Sequence, residues 1–288
     1  MQHLPVRPDV QRCQRWRGGR ASYRPAREVI DTERFEVVPL SESDAKAFVG
    51  QHHYSHSYPA ARFRAGLVSH HWGRRARLEG VAVFSQPMNQ LAGPRHAGLP
   101  PARVVELGRF VLLDETAANA ETFFLARAFA ELRVALPKVG ACLAYSDPVP
   151  RASLGGEIVF PGHYGCIYQA ASGGAYLGRA TARTLLLTPD GRVVSARTLS
   201  KLRNDERGAA YAYRQLRDAG APARRPGEDG AAYLDRALAD GGFRRQRHPG
   251  NHLYLFPVGG PAARRRLARE IGRGHPYPKG VDRPYVEC

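Results

Sequence analysis

The feature that most constrains this chain is a long apolar stripe. Phe123, Phe124, Ala128, Phe129, Leu132 and Leu136 recur at helical spacing. Pro137, which has no N–H to give, stops the pattern. Residues 104–113 before it and 139–146 after it are rich in Val, Leu, Ala and Phe and read as strands. A strand, a long amphipathic helix and a second strand form a crossover unit, and that unit lays its two strands parallel.

The flanking sequence adds hairpins to this crossover. Residues 34–38 read as a short strand. Ser41-Glu42-Ser43-Asp44 has the form of a capping box and opens a helix to about residue 50. Residues 52–59 follow as a loop. Residues 63–72 and 78–85 read as paired strands joined by a basic turn, and a Pro/Gly-rich excursion covers 86–102. Further on, 184–188 and 193–196 flank Pro189-Asp190-Gly191 as a hairpin. Helices are expected over 208–218, 229–240 and 261–271, and a strand over 252–257. The fold class is therefore α/β or α+β, with a mixed, partly antiparallel sheet flanked by helices. Three regions are expected: a basic, flexible arm over 1–28, a catalytic core over 29–200, and a basic helical extension over 201–288 packed on the core.

The chain has 288 residues and is 43% hydrophobic, enough for a sizeable core. Its net charge of +17 favours a polyanionic partner, most commonly nucleic acid, and a membrane surface fits the same numbers. Arg dominates: only four of the 43 basic residues are Lys, and the planar Arg fork suits phosphate. A GC-rich genome would also enrich Arg without selection for binding. The charge gathers at the ends, with Arg264-Arg265-Arg266 the tightest cluster. No apolar run approaches the ~20 residues that span a bilayer. No apolar core of a signal peptide follows the first arginines. The expected setting is cytoplasmic, with DNA. Cys13, Cys142, Cys166 and Cys288 lie far apart without a Cys-x-x-Cys pair, so neither a zinc ribbon nor a disulfide framework is indicated.

Three clusters bear chemistry: His52-His53-Tyr54-Ser55-His56-Ser57-Tyr58, Tyr145-Ser146-Asp147-Pro148, and Gly162-His163-Tyr164-Gly165-Cys166-Ile167-Tyr168-Gln169-Ala170. Each has an ordinary explanation. Loop histidines are commonly solvated, Asp before Pro forms turns, and Tyr168 reads equally as a plain strand residue. Taken together they place His, Asp and Tyr, the set needed for proton transfer or metal binding, in loops between core strands.

These three clusters, with Glu106-Leu107-Gly108-Arg109-Phe110 and Asn119-Ala120-Glu121-Thr122-Phe123-Phe124-Leu125, resemble the Mom family of phage DNA-modification proteins. The resemblance covers about residues 34–200. It implies an acetyltransferase-like (GNAT) fold, whose element order this is. It also implies conversion of adenine in double-stranded DNA to its N6-carbamoylmethyl form, which protects phage DNA from restriction. By position, the family's active-site His, Asp and Tyr fall on His53, Asp147 and Tyr168. Tyr54, Ser55, Arg109 and His163 are expected beside them at the DNA, with Arg264, Arg265 and Arg266 on the phosphates. The residues between Pro148 and His163 are an insertion relative to the short family pattern.

Acetyltransferases of this fold cradle the CoA pyrophosphate in a Gly-rich loop at a helix N-terminus. The matching segment here, Leu113-Asp114-Glu115-Thr116-Ala117-Ala118-Asn119, has no Gly and carries two carboxylates. Ordinary acyl-CoA use is therefore not expected. The carbamoylmethyl group joins nitrogen through a CH2, so the reaction is formally an N-alkylation whose carbon donor the sequence leaves open. A redox metal such as iron is implied for the family, and His53, Asp147 and His163 are ligands by type. Asp147 is expected to take the amine proton, and Tyr168 to orient the base. The nucleotide is expected to flip out against Tyr54 or Tyr58. The rival readings are an acyltransferase acting on a small amine or a protein, and a non-catalytic DNA-binding protein.

Overall fold

The computed structural model describes residues 12–17, 20–25, 28–70, 73 and 75–278. They fall into two compact units. Unit 1 comprises the described residues up to Asp147, His163–Arg179, and those from His252 on; unit 2 comprises Pro148–Gly162 and Ala180–Asn251.

The elements begin with β1 (Arg12–Arg17), β2 (Arg20–Pro25), β3 (Phe35–Pro39) and α1 (Glu42–His52). Then come β4 (Ala61–Ser69), β5 (Arg77–Ser85), α2 (Ala92–Ala97), β6 (Val104–Leu112), α3 (Ala120–Ala135) and β7 (Ala141–Ser146). The chain continues through β8 (Arg151–Ala152), β9 (Ile158–Phe160), α4 (Cys166–Ala170), β10 (Ala175–Arg179), β11 (Arg183–Leu187) and β12 (Val193–Val194). It ends with α5 (Ala196–Arg203), α6 (Ala209–Asp218), α7 (Gly230–Asp240), β13 (Arg244–His248), β14 (His252–Pro257) and α8 (Pro261–Ile271).

Unit 1 is built on a seven-stranded sheet in the order β10-β14-β7-β6-β5-β4-β3. Every neighbouring pair is antiparallel except β6 and β7, the two strands joined through α3. The apolar stripe of α3 packs on one face of the sheet, with Phe124, Leu125, Ala128, Phe129 and Leu132 against Phe84, Val105, Cys142 and Phe256. Strand alternation sends the other set of side chains to the opposite face. There Val81 and Val83 meet Phe48 and Val49 of α1, while Leu143, Leu253 and Leu255 meet Leu267 of α8. The result is a mixed α/β unit with a large, mostly antiparallel sheet and helices on both faces.

The capping box works as its sequence says. Ser41 Oγ accepts the Asp44 N–H at 3.1 Å, and α1 starts there. Within the stretch expected to be a flexible arm, β1 and β2 pair as an antiparallel ribbon. The 201–288 stretch contributes α6, α7 and β13 to unit 2 but β14 and α8 to unit 1, where β14 lies between β10 and β7. Unit 2 has its own sheet, β12-β11-β13, and its own core around Leu202, Leu216, Tyr233 and Leu234. Bidentate pairing of Arg224 with Asp205, at 2.8 and 3.0 Å, and the Arg236–Glu228 pair brace its helices. Among the described residues no helix is long and apolar enough to cross a membrane.

The turn before α3 is fixed from two sides. Both carboxylate oxygens of buried Glu79 are used, by Ser69 at 2.7 Å and Thr116 at 2.9 Å. The Arg15 guanidinium donates to the carbonyls of Leu113, Asp114, Thr116 and Ala117 and to Glu121 Oε1 at 2.8 Å. Arg15→Ala strips four carbonyls and a buried carboxylate of their partner. It should cost about 3 kcal/mol, as for breaking a buried pair, and lower the midpoint of thermal unfolding. An unchanged midpoint would mean that the ribbon does not anchor this turn.

Candidate functional site

The site lies in unit 1, where β6 and β7 part. Their parallel pairing has three rungs, Val104↔Ala141, Val105↔Cys142 and Glu106↔Leu143. Beyond them β6 follows β5 and β7 follows β14, so the sheet opens after Glu106. A bulge marks the same place: Val83 pairs with Arg109 and Phe84 with Leu107, which leaves Gly108 unpaired. A Cβ on Gly108 would stand 2.6 Å from Ser85 Oγ and 3.0 Å from Pro59 Cγ, so the loop after α1 can approach only a glycine.

That loop brings His53. The backbone N–H of His53 closes α1 on the Val49 carbonyl, and its ring is 8% exposed. Ser55 donates its backbone N–H to His53 Nδ1 at 3.1 Å, with its hydroxyl 2.9 Å from the same atom. Because Nδ1 accepts, the proton of the neutral ring sits on Nε2, and His53 is a hydrogen-bond donor there. Burial first, then the charges of Arg109, His163 and His56, pushes its pKa down to about 3. Tyr54 is 38% exposed and stacks on His53, ring centres 4.3 Å apart. Arg109 donates to the Ser57 carbonyl at 2.7 Å and to Ser57 Oγ at 2.6 Å, which ties the loop to β6.

The other wall starts at the tip of β7. The His163 N–H donates to the Asp147 carbonyl at 2.7 Å and closes the chain back on the strand end. Gly165 has φ of +76°, and a Cβ on it would lie 2.7 Å from Tyr168, 2.9 Å from Tyr254 and 3.0 Å from Ser146 Oγ. This glycine lets α4 begin against the sheet. Tyr168 therefore sits on a helix, buried beside Tyr254 and Phe256. Burial, then Tyr54, Cys142, Tyr254 and Glu106, raise its pKa, so the hydroxyl keeps its proton. Burial likewise pushes Tyr145 and Tyr254 up to about 12.

His53, Tyr54 and Arg109 are held together by the loop after α1, and His163 adds to the charge that His53 feels; Asp147 meets His163 through its backbone, and Tyr168 packs on Tyr254 and Phe256. Ser55 serves as the buttress of His53. Arg264, Arg265 and Arg266 are exposed on α8. Cys166 is disulfide-bonded, a state its wide spacing from the other cysteines did not signal.

Two implied cofactors find no match in these residues. Among the described residues no three His, Cys, Asp or Glu side chains gather as a metal site, so His53, Asp147 and His163 do not form a ligand set. The turn before α3 turns its carbonyls onto Arg15, and the Ala118 N–H is taken by Glu28 Oε2 at 2.9 Å. A pyrophosphate does not fit there.

Two buried histidines make stability pH-dependent. His252, 1% exposed, bonds the Tyr176 hydroxyl through Nδ1 at 2.7 Å, and its pKa is lowered to about 4, chiefly by burial. Both rings are held neutral when folded, whereas the unfolded chain takes up protons below about pH 6.5. Stability should therefore be full above pH 6.5 and fall as pH drops towards 4. His252→Asn should flatten that fall in pH-dependent denaturant unfolding. An unchanged slope would show that His252 charges freely in the folded state.

The sequence matches the family model described as the Mom protein family over residues 34–279. No curated protein matches it. The matched span runs from before β3 through α8 and includes both walls of the opening. The chain belongs to the Mom protein family.

Proposed function

We propose that the protein modifies adenine in double-stranded phage DNA at the exocyclic amine, giving the N6-carbamoylmethyl base that resists restriction. The observation that carries this is the holding of His53 and Arg109 by the loop after α1 in a Mom-family chain. The single parallel rung set, the bulge and the helices on both faces support an acetyltransferase-like reading of the architecture.

In this reading the target nucleotide leaves the duplex, and its ring stacks on Tyr54, the exposed aromatic at the mouth. The exocyclic amine is a weak nucleophile because its lone pair is delocalised into the ring. Asp147 takes the proton that the amine loses as the N6–carbon bond forms, while the donor's leaving group departs with the electron pair of the bond that breaks. His53 Nε2–H and the Tyr168 hydroxyl, both kept in their neutral, donating forms, bond the base and steady the charge that develops on it. Arg109 holds the loop and sets a positive field. Chemistry is routed through neither a CoA pyrophosphate at α3 nor a metal ligated by His53, Asp147 and His163. The donor is an electrophilic carbon compound that remains to be identified by isotope tracing. The enzyme works in the host cytoplasm, with the DNA.

Mass spectrometry of nucleosides from cells expressing the chain tests the reading, and unmodified adenine would overturn it. Asp147→Ala and Tyr168→Phe should abolish the modification while DNA affinity and thermal unfolding stay near wild type. Unfolding of both variants would mark these residues as structural.

Arg264, Arg265 and Arg266 are assigned to DNA phosphates. Binding should weaken with salt by a log–log slope of about −0.9 per phosphate neutralised. Replacing all three by Gln should flatten that slope and weaken every sequence alike. An unaltered slope would place the phosphate contacts elsewhere.

A further inference from the structure

Three helices of unit 2 surround one core: Leu199 and Leu202 of α5, Ala212 and Leu216 of α6, and Tyr233, Leu234 and Ala237 of α7. The rings of Tyr213 and Tyr233, 5.3 Å apart, join α6 to α7. Residues 204–208 turn α5 into α6, and that turn is held from behind. Asp205, at φ +47°, accepts two nitrogens of Arg224 at 2.8 and 3.0 Å and the Gly230 N–H at 2.9 Å. A Cβ on Gly230 would lie 2.0 Å from the Leu202 carbonyl, so α7 starts directly against the end of α5. Two short helices joined by a braced turn that contains a glycine, with a third helix behind them, make a helix-turn-helix arrangement.

The second helix, α6, buries Ala212 and Leu216 and turns its other side to solvent. Residues 207, 211 and 214 share that side at helical spacing. They are Arg207, Tyr211 and Arg214, all exposed, Tyr211 by 63%. The other exposed arginines of α5 and α6 are engaged: Arg197 with Glu206 at 3.3 Å, Arg203 with Asp235 at 3.6 Å, and Arg217 with the Ala221 carbonyl. Arg207 and Arg214 have no such partner among the described residues. Asp205 and Glu206, the acids next to Arg207 in the chain, are bound to Arg224 and Arg197. Asp218 lies on the same side but ends the helix, so the basic face covers its first turns. The N-cap is Gly208, which offers no side-chain oxygen, so the positive end of the helix adds to Arg207.

We propose that α5, the turn and α6 act as a helix-turn-helix, and that α6 docks its Arg207–Tyr211–Arg214 face in the major groove of duplex DNA. This rests on the function proposed above and adds to it a holding surface on unit 2. The groove is about 12 Å wide and admits a helix about 10–12 Å across. A recognition helix enters it with its N-terminal residues foremost, which is where the basic face lies. The two guanidiniums then reach phosphates, where the planar fork can donate two bonds at once. Between them the Tyr211 ring supplies neutral contact surface. A membrane is the poorer fit. A helix lying in a lipid surface needs a broad apolar face on its outer side, whereas α6 commits its apolar side to the core of unit 2.

The test measures the affinity of the full chain for a short duplex between about 50 and about 200 mM salt. Arg207→Gln with Arg214→Gln removes two phosphate contacts, so the log–log slope should become shallower by about 1.8, or about 0.9 for each. Over that roughly fourfold rise in salt the double variant should lose about 12-fold less affinity than wild type. Tyr211→Ala removes contact surface but no charge. It should weaken binding at least about fivefold, with the slope unchanged. Arg34→Gln with Arg192→Gln controls for charge alone: both arginines are exposed, beside Asp31 and Asp190, and the slope should stay as in wild type. Every side chain changed is exposed, so all these variants should unfold at the wild-type midpoint. Wild-type slope and affinity in both α6 variants would overturn the proposal. Equal flattening by the control would do the same, as would single-stranded DNA of equal length competing as well as duplex. If wild type leaves adenine unmodified, the proposed function fails whatever the slopes; if wild type modifies adenine and the α6 variants bind as it does, only the docking of α6 fails.

Discussion

The functional geometry of unit 1 depends on where one parallel strand pair stops. β6 and β7 share three rungs and then separate, and the strand on either side of them goes on pairing normally. Here each strand keeps its other neighbour. β6 stays on β5 as far as Gly80↔Leu112, and β7 stays on β14 as far as Ser146↔His252. The opening is therefore held between two rigid half-sheets, and the groups that line it are fixed by ladders that do not end where the site begins.

The bulge at Gly108 belongs to the same device. By omitting one pairing position it sends Arg109 back to the face that carries α1, where the arginine can bond Ser57. Without the bulge, strand alternation would put that guanidinium under α3, in the apolar core. The glycine at 108 has a second requirement, the close approach of Ser85 and Pro59. One small residue thus sets both the direction of Arg109 and the position of the loop that carries His53. On the opposite wall Gly165 does comparable work, since its positive φ starts α4 and its missing Cβ admits Tyr168 and Tyr254.

Much of this was legible in the sequence, because periodicity reports which side of an element is buried. The α3 stripe, its flanking strands, the Ser41 cap, α6 to α8 and β14 all carry strong local patterns, and the structure contains each of them. What local pattern cannot carry is long-range pairing. The departure of the chain after Arg179 and its return to the same sheet at His252 left no trace in spacing, because β10 and β14 are neighbours separated by 72 residues that fold as part of another unit. The ribbon of β1 and β2 was hidden for a different reason. Its residues look like a solvated basic stretch, yet Arg15 is held at the turn before α3, almost a hundred residues further on. At the site, residue types and the family resemblance singled out His53, Arg109, His163 and Tyr168, and spacing alone could not say which of them meet. They also suggested a metal set, because ligand type can be read from sequence and convergence cannot.

Charge divides the molecule's tasks by distance. The net +17 acts over the surface, where ions screen it within a Debye length of about 8 Å at physiological salt. Burial runs against that charge: His53 is driven neutral in a strongly basic chain, and burial keeps Tyr168 protonated. Neutral donors in a dry site hold their hydrogens whatever the bulk salt, and their bonds are stronger there than in water. Under the proposed function, capture of DNA by the exposed arginines is therefore the salt-sensitive step, and handling of the flipped base is not. The two are tuned by different residues on different elements. Surface arginines can be gained or lost with little consequence for the site, whereas a substitution at Gly108, Arg109 or Gly165 alters the chemistry with the surface field almost untouched.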